Sequence, residues 1–170
     1  MTGTSVRPAD DPLIGWRYWL VLAGTMVLSS VTQKQWAWSP GQVLQAVCVG
    51  GGHAAPAEGC ACGIYGSKDL DSLRDHGLCL ASGTPLVMGR VALWGRVAPD
   101  RQAYRAQYAA PTELSVVQGS AAEEVLASVV EGLAGYGVAV GTTPLDQAVG
   151  DVSRAVLAHQ AMSATTRTRA

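Results

Sequence analysis

The chain has no phenylalanine, only two lysines (Lys34 and Lys68), and charged residues at 15 % of its 170 positions, against the usual quarter. A formal net charge of −1 builds no strong field, which argues against a nucleic-acid footprint. So few charges leave a bland surface, and a bland surface implies a protein partner or a second copy of the chain. The first twelve residues, "MTGTSVRPADDP", lack the positive start, apolar stretch and small-residue cleavage site of a signal peptide. A cytoplasmic protein with reduced thiols is therefore expected, and clustered cysteines then point to metal or chemistry rather than to disulfides. No G-x-S-x-G, H-E-x-x-H or G-x-G-x-x-G motif is present, and "VGGGH" (49–53) lacks the Lys-Ser/Thr of a phosphate loop.

Apolar residues, at 48 %, are abundant enough for a chain of this length to bury a core without disulfides. Residues 13–31, "LIGWRYWLVLAGTMVLSSV", have the length of a membrane span, but Arg17 sits inside the run and no Lys/Arg cluster flanks it. The aromatic and β-branched content predicts a hairpin instead, with "AG" (23–24) as its turn. A membrane helix is the less favoured reading, so membrane association is kept only as a further alternative.

Three more strands are predicted. "QVLQAVCV" (42–49) delivers Cys48 to a glycine-rich loop, 50–63. "PLVMGRVALWGRV" (85–97) alternates, with Val87, Val91, Leu93 and Val97 facing one way and Met88, Arg90, Trp94 and Arg96 the other. Gly89 and Gly95 suit a bulge or sharp curvature. "AYRAQYA" (103–109) returns, Pro111 breaks it, and "ELSVV" adds a short strand. Leu70, Leu73 and Leu78 mark a short helix. The period then changes. Ser120 and Glu123 form a capping box for a helix bearing Val125, Leu126, Val129, Val130 and Leu133 and ending at Gly135. "YGVAV" (136–140) is a short buried strand. Pro144 opens a last helix, lined by Leu145, Val149, Val152 and Val156, with His159 near its end. The expected fold class is α+β: a curved antiparallel sheet or small β-barrel over 13–117, then an α-β-α segment over 118–160, with flexible ends at 1–12 and 161–170.

Cys48, His53, Cys60 and Cys62 give C-x4-H-x6-C-x-C. Three thiolates and an imidazole make a tetrahedral zinc set, and the glycines allow a short backbone to wrap an ion. Four filled positions would make a structural clip. The single residue between Cys60 and Cys62 is shorter than the usual knuckle spacing, and His76 with Cys79 could replace one member. Two other readings stay open: small packed thiols, or a thiol-dependent enzyme or redox pair using Cys60 or Cys62 with His53. Arg90, Arg96 and Arg105, with Trp94, form a possible ligand face for an anion or a base; solvated strand charges paired with Asp100 or Glu113 are the plainer account. Asp69, Asp71 and Asp75 read as a solvated acidic face, and the five tryptophans as core or partner anchors.

The series GWRYW (15–19), WSPG (38–41), CACGIY (60–65), LWGRV (93–97) and YRAQYA (104–109) resembles a group of uncharacterised bacterial proteins, mostly actinobacterial. In similar sequences the loop reads H-x-A-P-x3-C-x-C-G, which "HAAPAEGCACG" (53–63) matches. The resemblance covers 15–117 and implies that His53, Cys60 and Cys62 act as one unit; it implies no activity. The combined expectation is a non-enzymatic binding or assembly module with a zinc clip.

Overall fold

The computed structural model describes residues 6–22, 24–32, 36–75 and 83–168. Its elements are strands β1 (Arg7–Val21), β2 (Leu28–Ser30), β3 (Ala37–Trp38), β4 (Leu44–Gln45) and β5 (Ile64–Ser67); helix α1 (Leu70–Asp75); strands β6 (Leu86–Pro99) and β7 (Ala103–Gln118); helix α2 (Glu123–Gly132) with a 3-10 turn at Leu133–Tyr136; strand β8 (Ala139–Pro144); and helices α3 (Leu145–Ala148) and α4 (Asp151–Thr168). The chain is α+β, with one mostly antiparallel sheet. β1, β6 and β7 form its frame: β6 pairs β1 on one edge and β7 on the other.

Both faces of that frame are covered, and this explains the apolar run at 13–31. Trp19 and Val21 of β1 enter one core, with Val87, Val91, Leu93 and Val97 of β6, Leu114 and Val116 of β7, and Leu126, Val129 and Leu133 of α2 and its 3-10 turn. Tyr18 and Leu20 point the other way, into a second core with Leu73 of α1, Met88, Val117, Ala148 and Val149. A strand buried on both faces reads as continuous hydrophobicity rather than alternation. Residues 13–21 therefore lie in a strand and not in a membrane helix, and among the described residues no helix is long and apolar enough to cross a membrane. The predicted hairpin forms, with Trp19 opposite Ser30 and Val21 opposite Leu28. Its connection is longer than a two-residue turn. Residues 22–27 lie between the strands, and Leu22 N–H reaches Val27 O at 3.4 Å.

Trp19 and Trp38 meet edge to face, 5.5 Å between centroids, and Trp38 Nε1–H donates to Ser30 Oγ at 3.0 Å. The Tyr136 hydroxyl donates to Trp38 O and accepts from Leu28 N–H at 2.8 Å, which fastens the 3-10 turn to the small strands. Burial raises the Tyr136 pKa, so the phenol stays protonated to donate. On the opposite face Tyr18 does the same to Ala148 O, its pKa likewise raised, chiefly by burial.

β5 pairs with β7 over four residues and with β1 through Trp16 and Ser67 alone. The circuit β1–β6–β7–β5 thus closes on itself, but through one residue pair, so the sheet is strongly curved rather than a clean barrel. Gly89 carries the curvature. A Cβ there would sit inside the contact radius of the Glu113 carbonyl oxygen, so no other residue fits. The ladder slips beside it, between Arg90 and Val91, and again between Trp94 and Val97 around Gly95, which has φ +76°. Pro111 does not break the chain into two strands as expected. It sits at the first slip, where a residue without an N–H is tolerated, and β7 continues through it.

Other elements differ from expectation. β1 begins at Arg7 and α4 runs to Thr168, so regular structure extends into both segments expected to be loose. The strand expected at 42–49 shrinks to Leu44–Gln45 plus one bridge, Val47 to Ala54. Ser120 does not cap α2: its hydroxyl donates to Val117 O and accepts Leu86 N–H, and Ala122 is the N-cap. α2 ends at Gly132, and Gly137 rather than Gly135 takes the left-handed cap after the 3-10 turn. The predicted strand 136–140 is displaced to Ala139–Pro144, pairs parallel with β7 and is largely exposed. The last helix breaks at Val149–Gly150, which resets its face: Val149 is buried, Val152 is 68 % exposed and Ser153 is buried instead. His159 therefore lies within α4, nine residues before its end. Leu78, His76 and Cys79 lie outside the described residues.

Candidate metal centre

A long arm, Ala46 to Gly63, leaves the sheet beside β7 and returns as β5. Ala46 N–H donates to Gln107 O at 2.8 Å where it departs. At its return the Arg105 guanidinium of β7 donates through Nη1 to Cys60 O and, at 2.9 Å, to Cys62 O. One planar cation thereby gathers both carbonyls of the C-x-C turn. Tyr65 Oη donates to Ala61 O at 2.6 Å and pins the same turn from the other side. Burial raises the Tyr65 pKa and keeps the hydroxyl a donor. Val47 bridges to Ala54, and the Ala55–Pro56 peptide is cis.

This scaffold brings all four predicted ligands together. The Sγ atoms of Cys48, Cys60 and Cys62 and a ring nitrogen of His53 all lie within 4.8 Å of one another. Cys48 Sγ is 3.8 Å from Cys60 Sγ, and Cys62 Sγ is 3.5 Å from His53 Nε2. All three thiols are free. Gly51 makes the fold-back of His53 possible: a Cβ there would lie 2.5 Å from the imidazole Cε1 and 3.3 Å from Cys48 Sγ. The single-residue spacing of Cys60 and Cys62 is no obstacle, because the two sulfurs serve one cluster while their carbonyls share Arg105.

The cluster favours a thiolate at Cys60. The backbone N–H of Cys62, then the side chains of Cys62, His53 and Cys48, pull the Cys60 pKa from 9.0 to about 7. Cys62 moves the other way, raised mainly by burial and further by its charged neighbour. A metal ion needs such deprotonated sulfurs and rewards them. The donor set can hold a metal such as zinc.

The four residues of the predicted ligand face make separate contacts. Arg105 is 6 % exposed and turned to the cysteine turn. Arg90 lies over the Trp16 ring at 5.8 Å, Trp94 packs on Tyr108 at 6.2 Å, and the Arg96 N–H donates to Gln107 Oε1. No ion pair joins these arginines to Asp100 or Glu113 among the described residues; the ion pairs found are Arg74–Asp71 and Arg154–Asp151. Of the acidic trio, Asp69 caps α1, its Oδ1 accepting Ser72 N–H at 2.8 Å, which lowers its pKa.

Sequence reasoning missed two residues. Arg105 is expected from the sequence as part of a ligand face, not as the residue that gathers the cysteine turn, and that role depends on β5 and the arm crossing that point of β7. Arg17 was read only as a blemish in an apolar run. It lines a cleft of about 770 Å³ that opens beside the four donors. The signal for Arg17 was present: a lone cation in a strand buried on both faces needs a partner.

No protein-family model matches the chain, and neither any curated protein nor any solved structure is similar to it.

Proposed function

We propose that Cys48, His53, Cys60 and Cys62 bind one zinc ion as a structural clip, and that the protein is a non-enzymatic binding or assembly module built around it. One observation carries the reading. Tetrahedral zinc, with Zn–S about 2.3 Å and Zn–N about 2.05 Å, sets S···S edges at about 3.8 Å and S···N edges at about 3.6 Å. The Cys48–Cys60 and Cys62–His53 separations are 3.8 and 3.5 Å. Four protein donors leave no open position for a substrate, which is the structural pattern rather than the catalytic one. A dication with three thiolates and a neutral imidazole carries one net negative charge. The Arg105 cation lies against two of the ligand carbonyls, as an outer-shell partner does. Reduced thiols of this kind fit the cytoplasm. The exposed Val47 and Val49 on the arm, with Val43 just before β4, fit a protein partner or a second copy.

The test is elemental analysis of tag-free protein with thiol counting. One zinc per chain and chelator-sensitive melting are expected. A metal-free chain whose melting ignores both chelator and Cys60→Ala overturns the proposal. One observation favours the thiol-enzyme alternative: the lowered Cys60 pKa beside His53. Fast single-site alkylation of metal-free native protein, with turnover lost on alkylation, would select it.

A further inference from the structure

The cleft beside the four donors is walled by the arm on one side, through Val47 and Val49, and by β1 and β5 on the other, through Trp16, Arg17 and Tyr65. We propose that this cleft binds a small organic monoanion, a carboxylate carried on an aromatic or aliphatic body, with Arg17 gripping the carboxylate. The inference rests on the metal-clip reading to one extent: the clipped arm forms one wall.

Charge leads the argument. Arg17 Nη1 donates to Tyr65 O at 2.5 Å and Nη2 to Ser30 Oγ at 3.1 Å, and its Cζ sits 5.0 Å from the Trp38 ring centroid. None of these partners carries a negative charge. Among the described residues no carboxylate pairs with Arg17, and no Asp or Glu lines the cleft. Nε is buried and has no acceptor. Nη1 and Nη2 each engage one N–H, which leaves one N–H on each to meet a carboxylate. A desolvated cation without a counter-ion is costly. Burial pulls its pKa down to about 10, so it stays charged at neutral pH. Arg105, the other inward-facing arginine, differs in its partners: it donates directly to the carbonyls of two clip residues, Cys60 and Cys62.

Chemistry narrows the ligand. Among the described residues Arg17 is the one arginine lining the cleft, and the clip's cysteines line it too, so a monoanionic carboxylate fits better than a phosphate dianion. Trp16, Val47 and Val49 are apolar walls, so the body behind the charge is apolar. The volume lies in the range of small-molecule sites.

The test is isothermal titration of the full chain with 1-naphthaleneacetate and its neutral amide, 1-naphthaleneacetamide, with zinc measured on the same samples. The acid is expected to bind at least about tenfold more tightly than the amide, the value of a charge-assisted hydrogen bond. Arg17→Gln should reduce the acid to the level of the amide. Because Arg17 also holds β1 to β5, Val47→Glu is the second variant. Val47 is 59 % exposed, so its replacement leaves the fold intact and sets a competing carboxylate in the cleft, weakening the acid about fivefold or more. Acid and amide binding equally, no binding of the acid, or full affinity in both variants overturns the proposal. Zinc present without acid binding sinks the cleft and spares the clip; acid binding without zinc does the reverse.

Discussion

The ladder of β1, β6 and β7 and the arm from Ala46 to Gly63 sit side by side and are held by different physics. The ladder is a continuous set of paired backbone groups with apolar side chains on both faces. Its stability is spread over many small contributions. The arm buries little, exposes Val47 and Val49, and is tied down by one bridge, a few side-chain bonds and four clustered donors. A region with so few apolar contacts opens easily unless something else closes it. The comparison teaches that one short chain uses burial where it has area, and soft ligands where it has none.

The largest effect expected is on the ladder. Gly89→Val forces a side chain into the Glu113 carbonyl and should cost more than about 3 kcal/mol, the upper range for one substitution. Chemical denaturation should show the loss across the whole molecule. Next comes the clip. Chelation opens the ring between Cys48 and Cys62 and should cost about 3 kcal/mol by the loop-closure estimate for a ring of that size. Hydrogen exchange separates the regions: amides of 46–63 lose protection, while those of β6 and β7 keep it. Equal loss in both would erase the distinction drawn here. Smaller again is Arg105→Lys. It keeps the charge but displaces the single donor nitrogen that gathers both carbonyls, and should weaken zinc about tenfold in competition with a chromophoric chelator.

The smallest effect is with pH. Cys60 is depressed from 9.0 to about 7. The fold therefore favours its thiolate; that preference is fully present above pH 9 and fades as pH falls through 7. Alkylation of metal-free protein at Cys60 should have its midpoint near 7, and zinc should dissociate more readily as acidity rises past that point.

The sequence disclosed these two regions unequally. Strand β6 was legible because Val87, Val91 and Leu93 share one face, and the slips beside Gly89 and around Gly95 announced themselves through glycines. The four ligands were legible because cysteine and histidine are rare in this chain and cluster in one stretch. The two-faced burial of β1 was not, since an apolar run does not say which elements cover it. Ser120 looked like a helix cap, but tertiary contact with Leu86 claimed its hydroxyl. β8 escaped because a parallel edge strand with exposed side chains leaves no hydrophobic period. Arg105 and Arg17 owe their roles to neighbours distant in sequence, Cys60 and Tyr65.

β5 begins one residue after Gly63, directly behind the last ligand, and its ladder pairing with β1 is the lone Trp16–Ser67 pair. That pair is the seam at which the curved sheet is stitched shut. Tension or slack in the thread just upstream is passed straight to the stitch. An ion held by the arm would therefore be felt first at Trp16, whose emission offers a native reporter of whether the seam is drawn tight.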